Sequence, residues 1–468
     1  MKKVVRGICF AILLSLIMWE TYRVLSWKDT TGGYQSSAQQ LYHTDDNLID
    51  VLFVGSSHCY NSVYPDCLWR DSGIAAFDLA ISGQDKSSSY YSIVEALKTQ
   101  SPKVVLVESS GLLHEGYGQE GNKYRNLLAY KNSADSLALA EEVDEENKWN
   151  YFLKWPIVHT RYRELGQYDF VQYEYSIYGR GAAIGWGIGP GPDLQAFAAD
   201  EETVELSPEN IEWLDRLIEL SREEDFTLVF FLAPMMMYGP NQKIINAAAE
   251  YVREQGFDFL DFGKKAEELG LNPDTDFGDG NHCNGYGAEK ITRYLGKYLS
   301  KHFDLTDHRN DEAYHLWDVS FHYYYRLERE KKLNETGEIG EYLSMALEDS
   351  ELTVILALDG VTDTRSAELT LCMASLGISE EEYGQGGKWV WQEEQIVFSM
   401  DGADSQRYLL KLSDTETLKL ENRAALYGER PVRDVMINRI EYGSDGGGLK
   451  VLVYDNFRKT VISVRQFY

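Results

Sequence analysis

Basic residues are scarce in this 468-residue chain: 45 lysines and arginines stand against 75 aspartates and glutamates, a formal net charge of −30. A surface so acidic repels phosphate backbones, which argues against nucleic acid as a partner, and most of such a face is simply solvated. Cysteine is scarce as well. The five present form neither a Cys-x-x-Cys pair nor a zinc-type spacing, so the sequence points to no metal and no cofactor. Long apolar runs are missing except at the beginning. There Lys2, Lys3 and Arg6 precede an uncharged stretch from Gly7 to Trp19, followed by Glu20. A secretory signal is one reading, but no small-residue cleavage motif follows. The run is short for a span of about 20 residues, although Tyr22, Val24, Leu25 and Trp27 extend it to an aromatic interface with Glu20 and Arg23 as a local pair. The favoured expectation is an uncleaved anchor over 1–28, basic end inside, with the rest of the chain extracellular. Residues 29–47, polar and carrying Gly32, Gly33, Ser36 and Ser37, read as a tether.

Hydrophobic residues make up 44% of the chain, enough for ordinary cores, and the length predicts two folded units plus extensions. The first unit is organised around Val51–Val54, a short apolar run rich in β-branched residues that stops at Gly55-Ser56-Ser57. This pattern predicts a buried parallel strand. A serine on the turn leaving such a strand sits at the carboxyl edge of the sheet, where open α/β folds place ligands. Ser57 is therefore placed like a nucleophile. Far downstream, Asp279 and His282 lie three apart on a loop, spaced so that His282 takes a serine proton while Asp279 orients the imidazole. Asp261, at the end of an expected strand, competes with Asp279 for that role.

These two blocks together resemble the SGNH (GDSL-like) hydrolase family, whose first block is Gly-Asp-Ser and whose last is Asp-x-x-His. Here Ser56 replaces the aspartate. The resemblance spans residues 48–303 and looks closest to membrane-anchored members that modify cell-envelope polymers, such as the D-alanyl transfer protein DltD and the alginate acetylation proteins. It implies a three-layer αβα fold with a parallel flavodoxin-like sheet. Strands are expected at 51–54, 75–79, 103–108, 226–232 and 257–260, and helices from within 62–70 and over 88–99, 244–255 and 289–303, with a further helix capped by Ser207-Pro208. The resemblance also implies Ser57, His282 and Asp279 as catalytic residues and an oxyanion hole built from the N–H groups of Ser57 and Gly83; a plain turn glycine is the other reading of Gly83. The family's Gly-x-Asn block is absent. Glu108-Ser109-Ser110-Gly111 stands in its place, leaving Gln84 or Ser109 as the substitute donor.

Residues 112–205 form an insertion rich in tyrosine and tryptophan, with a glycine-rich run at 179–192. Part of an acceptor cleft and ordinary packing are both open readings. Cys59 and Cys283 each follow a candidate site residue closely, so they are either bridged or free thiols. Residues 304–320 read as a linker in which His308 and His315 face solvent. The second unit, 321–468, is expected to be a smaller α/β domain with strands at 352–358, 396–399, 408–412 and 449–454 and a helix at 366–376. Its segment 447–455 is similar to the interleukin-like EMT inducer domain, which implies a binding module; a purely structural domain is the alternative. The resulting expectation is a serine esterase or O-acyltransferase acting on acylated carbohydrate or another envelope polymer, with a membrane O-acyltransferase as donor if it transfers. A non-catalytic envelope-binding protein on a degenerate SGNH fold is the reading from another class.

Overall fold

The computed structural model describes residues 2–26, 34–114, 125–170, 176–195, 200–358, 367–384, 386–401, 405–423, 432–442 and 448–467. Trp27, Gly32, Gly33, Ser366 and Gly447 lie outside them. The chain divides into two compact units, Met1–Tyr324 and Tyr325–Tyr468.

In the first unit, helices α1 (Lys2–Leu25) and α2 (Tyr34–Tyr42) precede an alternation of strands and helices. These are β1 (Val51–Val54), α3 (Pro65–Ser72), β2 (Ala76–Asp78), α4 (Lys86–Leu97), β3 (Val104–Glu108), α5 (Pro208–Glu223), β4 (Thr227–Leu232), α6 (Asn241–Glu254), β5 (Asp258–Asp261), a small hairpin of β6 (Phe277–Asp279) and β7 (His282–Cys283), and α7 (Gly285–His302). Strands β1 to β5 form one sheet in the order β2-β1-β3-β4-β5, and every neighbouring pair is parallel. This is the flavodoxin-like order of a doubly wound fold.

The period of two along each strand divides the core into two. Leu52, Val54, Val105, Val107, Leu228 and Phe230 face one cluster with residues of α4, α5 and α6. Val51, Phe53, Val104, Leu106, Val229 and Phe231 face the other, with Leu68 of α3 and Ile291, Leu295 and Leu299 of α7. Both faces of the sheet are thus covered, which is why its strands are continuous apolar runs. The helices begin where the chain supplies caps: Asp85 accepts the Ser88 N–H, Ser207 that of Asn210 ahead of Pro208, and Asn284 those of Tyr286 and Gly287.

Two connecting segments differ from their expected character. Residues 34–42, read as tether, are helical, and Ala38 and Leu41 are buried in the main core. Residues 304–320, read as a linker, pack on the first unit. Tyr314 and Trp317 are buried in the same core, and the Trp317 indole donates to Ala76 O at 2.9 Å. His308 does not face solvent: its Nε2 lies 2.9 Å from Asp50 Oδ2, whereas His315 is exposed. The division between the units falls inside helix α8 (His315–Glu335).

The second unit also contains α9 (Ile339–Leu347), β8 (Leu352–Leu358), α10 (Ala367–Ser375), β9 (Gly387–Gln392), β10 (Gln395–Asp401), β11 (Gln406–Lys411), β12 (Thr417–Arg423), β13 (Val432–Ile437), β14 (Ile440–Glu441), β15 (Leu449–Asp455) and β16 (Thr460–Phe467). It has a five-stranded sheet in the order β10-β9-β8-β15-β16 and a four-stranded sheet β11-β12-β13-β14, all antiparallel. Ile355, Val390, Leu452 and Tyr454 from the first sheet meet Leu418, Leu420, Val435 and Ile437 from the second. The other face of the five-stranded sheet packs on α9 and α10.

Because Trp317 fills the first unit's core, Trp317→Ala is expected to destabilise that unit by about 3–5 kcal/mol. Chemical denaturation followed by circular dichroism measures it. A loss below about 1 kcal/mol would mean that the segment is only loosely attached.

Candidate functional site

Strand β1 ends at Val54, and the chain leaves the carboxyl edge of the sheet through Gly55. Only glycine fits: its φ is +152°, and a Cβ would stand 2.5 Å from the Glu108 Cβ. Ser56 caps a single helical turn, Ser57–Tyr60, by accepting the His58 N–H. Ser57 is the first residue of that turn. The Ser57 hydroxyl meets His282 Nε2 at 2.8 Å, across 225 residues of sequence.

The β6–β7 hairpin presents the other two groups. His282 Nδ1 is 3.0 Å from each Asp279 oxygen, so Nδ1 carries the proton and Nε2 offers its lone pair to Ser57. Asp279 Oδ1 also accepts the backbone N–H groups of Asn281 and His282. Partial burial pushes the Asp279 carboxyl up, but the His282 ring and these N–H groups outweigh it and hold the group below its ordinary range, ionised at neutral pH. Asp261 is elsewhere: its oxygens accept the Gln242 amide and the Lys264 N–H. The Ser57, His282 and Asp279 side chains therefore form one hydrogen-bonded series, and Asp261 is no part of it.

The Ile81 N–H donates to Gly55 O at 3.0 Å, which sets the turn carrying Gly83 beside the turn carrying Ser57. Gly83 takes a φ of +68° there. Among the described residues, neither the Ser57 N–H nor the Gly83 N–H has an acceptor. The two substitute donors proposed from the sequence are engaged otherwise. Gln84 Nε2 donates to the Ser89 and Ser92 hydroxyls. The Ser109 N–H donates to Phe231 O and its hydroxyl to Val107 O. Neither has a donor left for an oxyanion. Tyr60 holds its phenol beside the Ser82 and Ser57 hydroxyls, and Arg125 of the insertion donates to Ser82 O.

One part of the site escaped the sequence reading. The His58 ring stacks on His282 with centroids 5.1 Å apart and planes at 23°. His58 Nδ1 lies 2.8 Å from Ser56 Oγ and 3.3 Å from Ser110 Oγ. Both hydroxyls donate to Glu108 Oε2, at 3.1 and 2.6 Å, and the Ser110 N–H donates to Oε1. With both hydroxyl protons on the carboxylate, the oxygens accept from Nδ1–H of His58. Its Nε2 is left as an unpaired lone pair shut off from solvent. Burial, reinforced by the neighbouring His282, lowers the His58 pKa to about 3, so a neutral ring backs the His282 imidazole. Burial pushes Glu108 upward, against the hydrogen bonds it accepts from Ser110 and Ser56. The signal was present in the sequence as the polar run Glu108-Ser109-Ser110 directly after β3, which supplies this network rather than an oxyanion donor.

The glycine-rich part of the insertion is a strap across the His282 loop. Ala183 N–H donates to Tyr60 O, Gly189 N–H to Phe277 O and Gly285 N–H to Gly185 O, and the Asn284 amide reaches Gly187 O. A Cβ on Gly189 would lie 2.1 Å from Gly278 O, so the two backbones touch. Trp186 packs on Tyr324. Along this run the packing reading of the insertion holds. Cys59 and Cys283 are free, buried thiols, and Cys59 donates to Asp78.

The fold and these contacts define the class: a doubly wound α/β unit with a Ser-His-Asp series at the carboxyl edge of its sheet. No known family profile and no curated protein matches the chain. Among solved structures, a "putative acylhydrolase" from Bacteroides fragilis NCTC 9343 is similar at 12% identity, over 59% of this chain and 99% of its own, with a TM-score of 0.30. At that score the two share too little geometry for one to inform the chemistry of the other.

The His58 network has a direct spectroscopic consequence. In protein labelled with nitrogen-15 at histidine, the His58 ring is expected to stay neutral and Nδ1-protonated from about pH 8 to about pH 5. Its folded value lies below the unfolded one of 6.5, so the stability gained by keeping it neutral is complete above pH 6.5 and is lost as the pH falls toward about 3. His58→Phe removes that part of the pH dependence. A His58 resonance titrating near its unperturbed value would contradict the buried network.

Proposed function

We propose that this chain is a membrane-anchored, outward-facing serine esterase or O-acyltransferase of the SGNH type, acting on acyl groups of cell-envelope carbohydrate or a related polymer. The observation that carries the reading is the 2.8 Å contact between Ser57 Oγ and His282 Nε2, with the far side of the imidazole held by Asp279. Ser57 Oγ attacks the acyl carbon while its proton passes to His282 Nε2. The carbonyl electron pair moves to oxygen, where the Ser57 and Gly83 N–H groups receive it. Collapse breaks the ester C–O bond, and the leaving alkoxide takes the proton from His282. In the second half, water or an acceptor hydroxyl gives its proton to His282 and attacks the acyl-serine, and Ser57 leaves with that proton. Asp279 stays ionised throughout and stabilises the imidazolium. Water as acceptor makes the enzyme an esterase, and a polymer hydroxyl makes it a transferase. In the second case a membrane O-acyltransferase supplies the acyl group. Helix α1 is the anchor in this reading: it has an 18-residue window of mean hydropathy 1.8, none of it buried. The second unit is the natural candidate for a polymer-binding module.

The occupied donors of Gln84 and Ser109 favour one other reading, a non-catalytic envelope-binding protein on the same fold. Losing one oxyanion donor costs about 10² to 10³ in rate, so two backbone donors still leave a working enzyme. Turnover of p-nitrophenyl acetate by the full chain in detergent separates the readings. The expectation is a fall in kcat/KM of at least about 10³ in Ser57→Ala and in His282→Ala. Turnover that is absent, or equal in all three proteins, would favour the binding protein.

A further inference from the structure

Four of the exposed apolar side chains of the insertion lie on the run of short helices, 148–170, that leads to the end of α1. Arg161 caps that helix: its Nη1 donates to Leu25 O at 2.8 Å and Ser26 O at 2.7 Å, and its Nη2 meets Asp169 at 3.0 Å. These carbonyls belong to the last turn, where no intrahelical donor is left for them. The Tyr22 and Trp155 rings are 6.3 Å apart. Three short helices, Trp155–Val158, His159–Arg163 and Gln167–Phe170, pack against α1. They and the helix just before them, Lys148–Leu153, expose Trp149 (55%), Leu153 (57%), Tyr162 (58%) and Phe170 (61%). Trp149 and Leu153 are four apart and share a helix face. Single exposed apolar residues are normal, but four on successive short helices, of which those carrying Tyr162 and Phe170 touch α1 and that carrying Trp149 and Leu153 packs on the helix Trp155–Val158 that does, are not.

We propose that this surface is a lipid-docking collar, inserted into the interfacial layer of the leaflet from which the C-terminal end of α1 emerges. The inference rests on reading α1 as the membrane anchor. At 1.5 Å per residue the uncharged stretch Gly7 to Trp19 covers about 20 Å, and with the Arg6, Lys3 and Lys2 side chains reaching back to the opposite interface the helix from Lys2 to Trp19 covers about 27 Å, close to the roughly 30 Å of a hydrocarbon core. Glu20 to Ser26 then lie at headgroup level, with Glu20 and Arg23 paired there. Tyr22, Leu25 and Ser26, the residues that hold the insertion, are at that depth. Tryptophan and tyrosine near that level suit the boundary, where an apolar ring and a polar tip are both satisfied, and Phe170 and Leu153 add purely apolar area. A net charge of −30 opposes adsorption to an anionic bilayer, so the contact has to come from apolar insertion. The occupant is lipid, continuous with the lipid around α1.

The test uses the full chain in nanodiscs of phosphatidylcholine and phosphatidylglycerol, with nitrobenzoxadiazole attached to single cysteines. Trp149→Cys, Phe170→Cys and Tyr238→Cys are made with Cys9→Ser and Cys372→Ser; native Cys9 is labelled in Cys372→Ser alone. All four positions are exposed, so the fold tolerates the label. Nitroxide lipids spin-labelled at the headgroup or along the chain are expected to quench positions 149 and 170 at least about twofold, most strongly from the shallow labels, and Cys9 from the deep ones, while 238 is unaffected. Quenching of Cys9 with 149 and 170 behaving like 238 would overturn the collar and leave the anchor standing. An unquenched Cys9 would overturn both. Blue-shifted but unquenched labels at 149 and 170 would mean that protein covers the face, which also overturns the proposal.

Discussion

Everything in the first unit that bears on chemistry depends on one hydrogen bond, from the Ser57 hydroxyl to His282 Nε2. Its partners are 225 positions apart within the unit Met1–Tyr324, and neither is reactive alone. A serine hydroxyl becomes a nucleophile only where a base of fixed tautomer waits at hydrogen-bonding distance. The parallel sheet meets that condition by ending β1 at Gly55 and by carrying the Asp279–His282 hairpin ahead of α7. Position follows from topology. Tautomer follows from Asp279, which accepts the hydrogen bond of Nδ1–H and so leaves the Nε2 lone pair to Ser57.

Two supports keep that bond in register. From one side the neutral His58 ring stacks on His282, itself held through Ser56 and Ser110 by Glu108. From the other, the glycine-rich strap lies backbone to backbone against the loop that carries Asp279. Both use close approach rather than bulk. A side chain at Gly55 or Gly189 would displace a backbone and, with it, one of the two partners of the central bond. The buried carboxylate of Glu108 costs desolvation, and the hydrogen bonds it accepts offset that cost by ordering two hydroxyls and an imidazole.

The sheet was legible in the sequence because its strands are buried on both faces: uninterrupted runs such as 51–54, 104–108 and 228–232 have one physical explanation. The serine and the Asp-x-x-His pair were legible because their chemistry demands those residue types beside a strand end and a helix start. The rest required distances. Nothing in the sequence says that the Gln84 amide is spent on Ser89 and Ser92, or that the Ser109 N–H completes the pairing to β4. The stacking of His58 was hidden for the same reason, since its partner is 224 positions away. Polar residues misled at 34–42 and 304–320 because their few apolar members, Ala38, Leu41, Tyr314 and Trp317, are the ones that face the core. In the second unit β9, whose apolar run Trp389-Val390-Trp391 is only three residues long, and β12, β13, β14 and β16, where apolar residues are interspersed with charged or polar ones, became visible only in the fold.

The measurement that bears most directly on the central bond is the intact mass of the full chain after exposure to a fluorophosphonate, which reacts only with a serine already activated by a base. One adduct is expected, located on Ser57 by peptide mapping and lost in His282→Ala. No adduct on folded protein, or an adduct that survives the loss of His282, would contradict activation of Ser57 by His282.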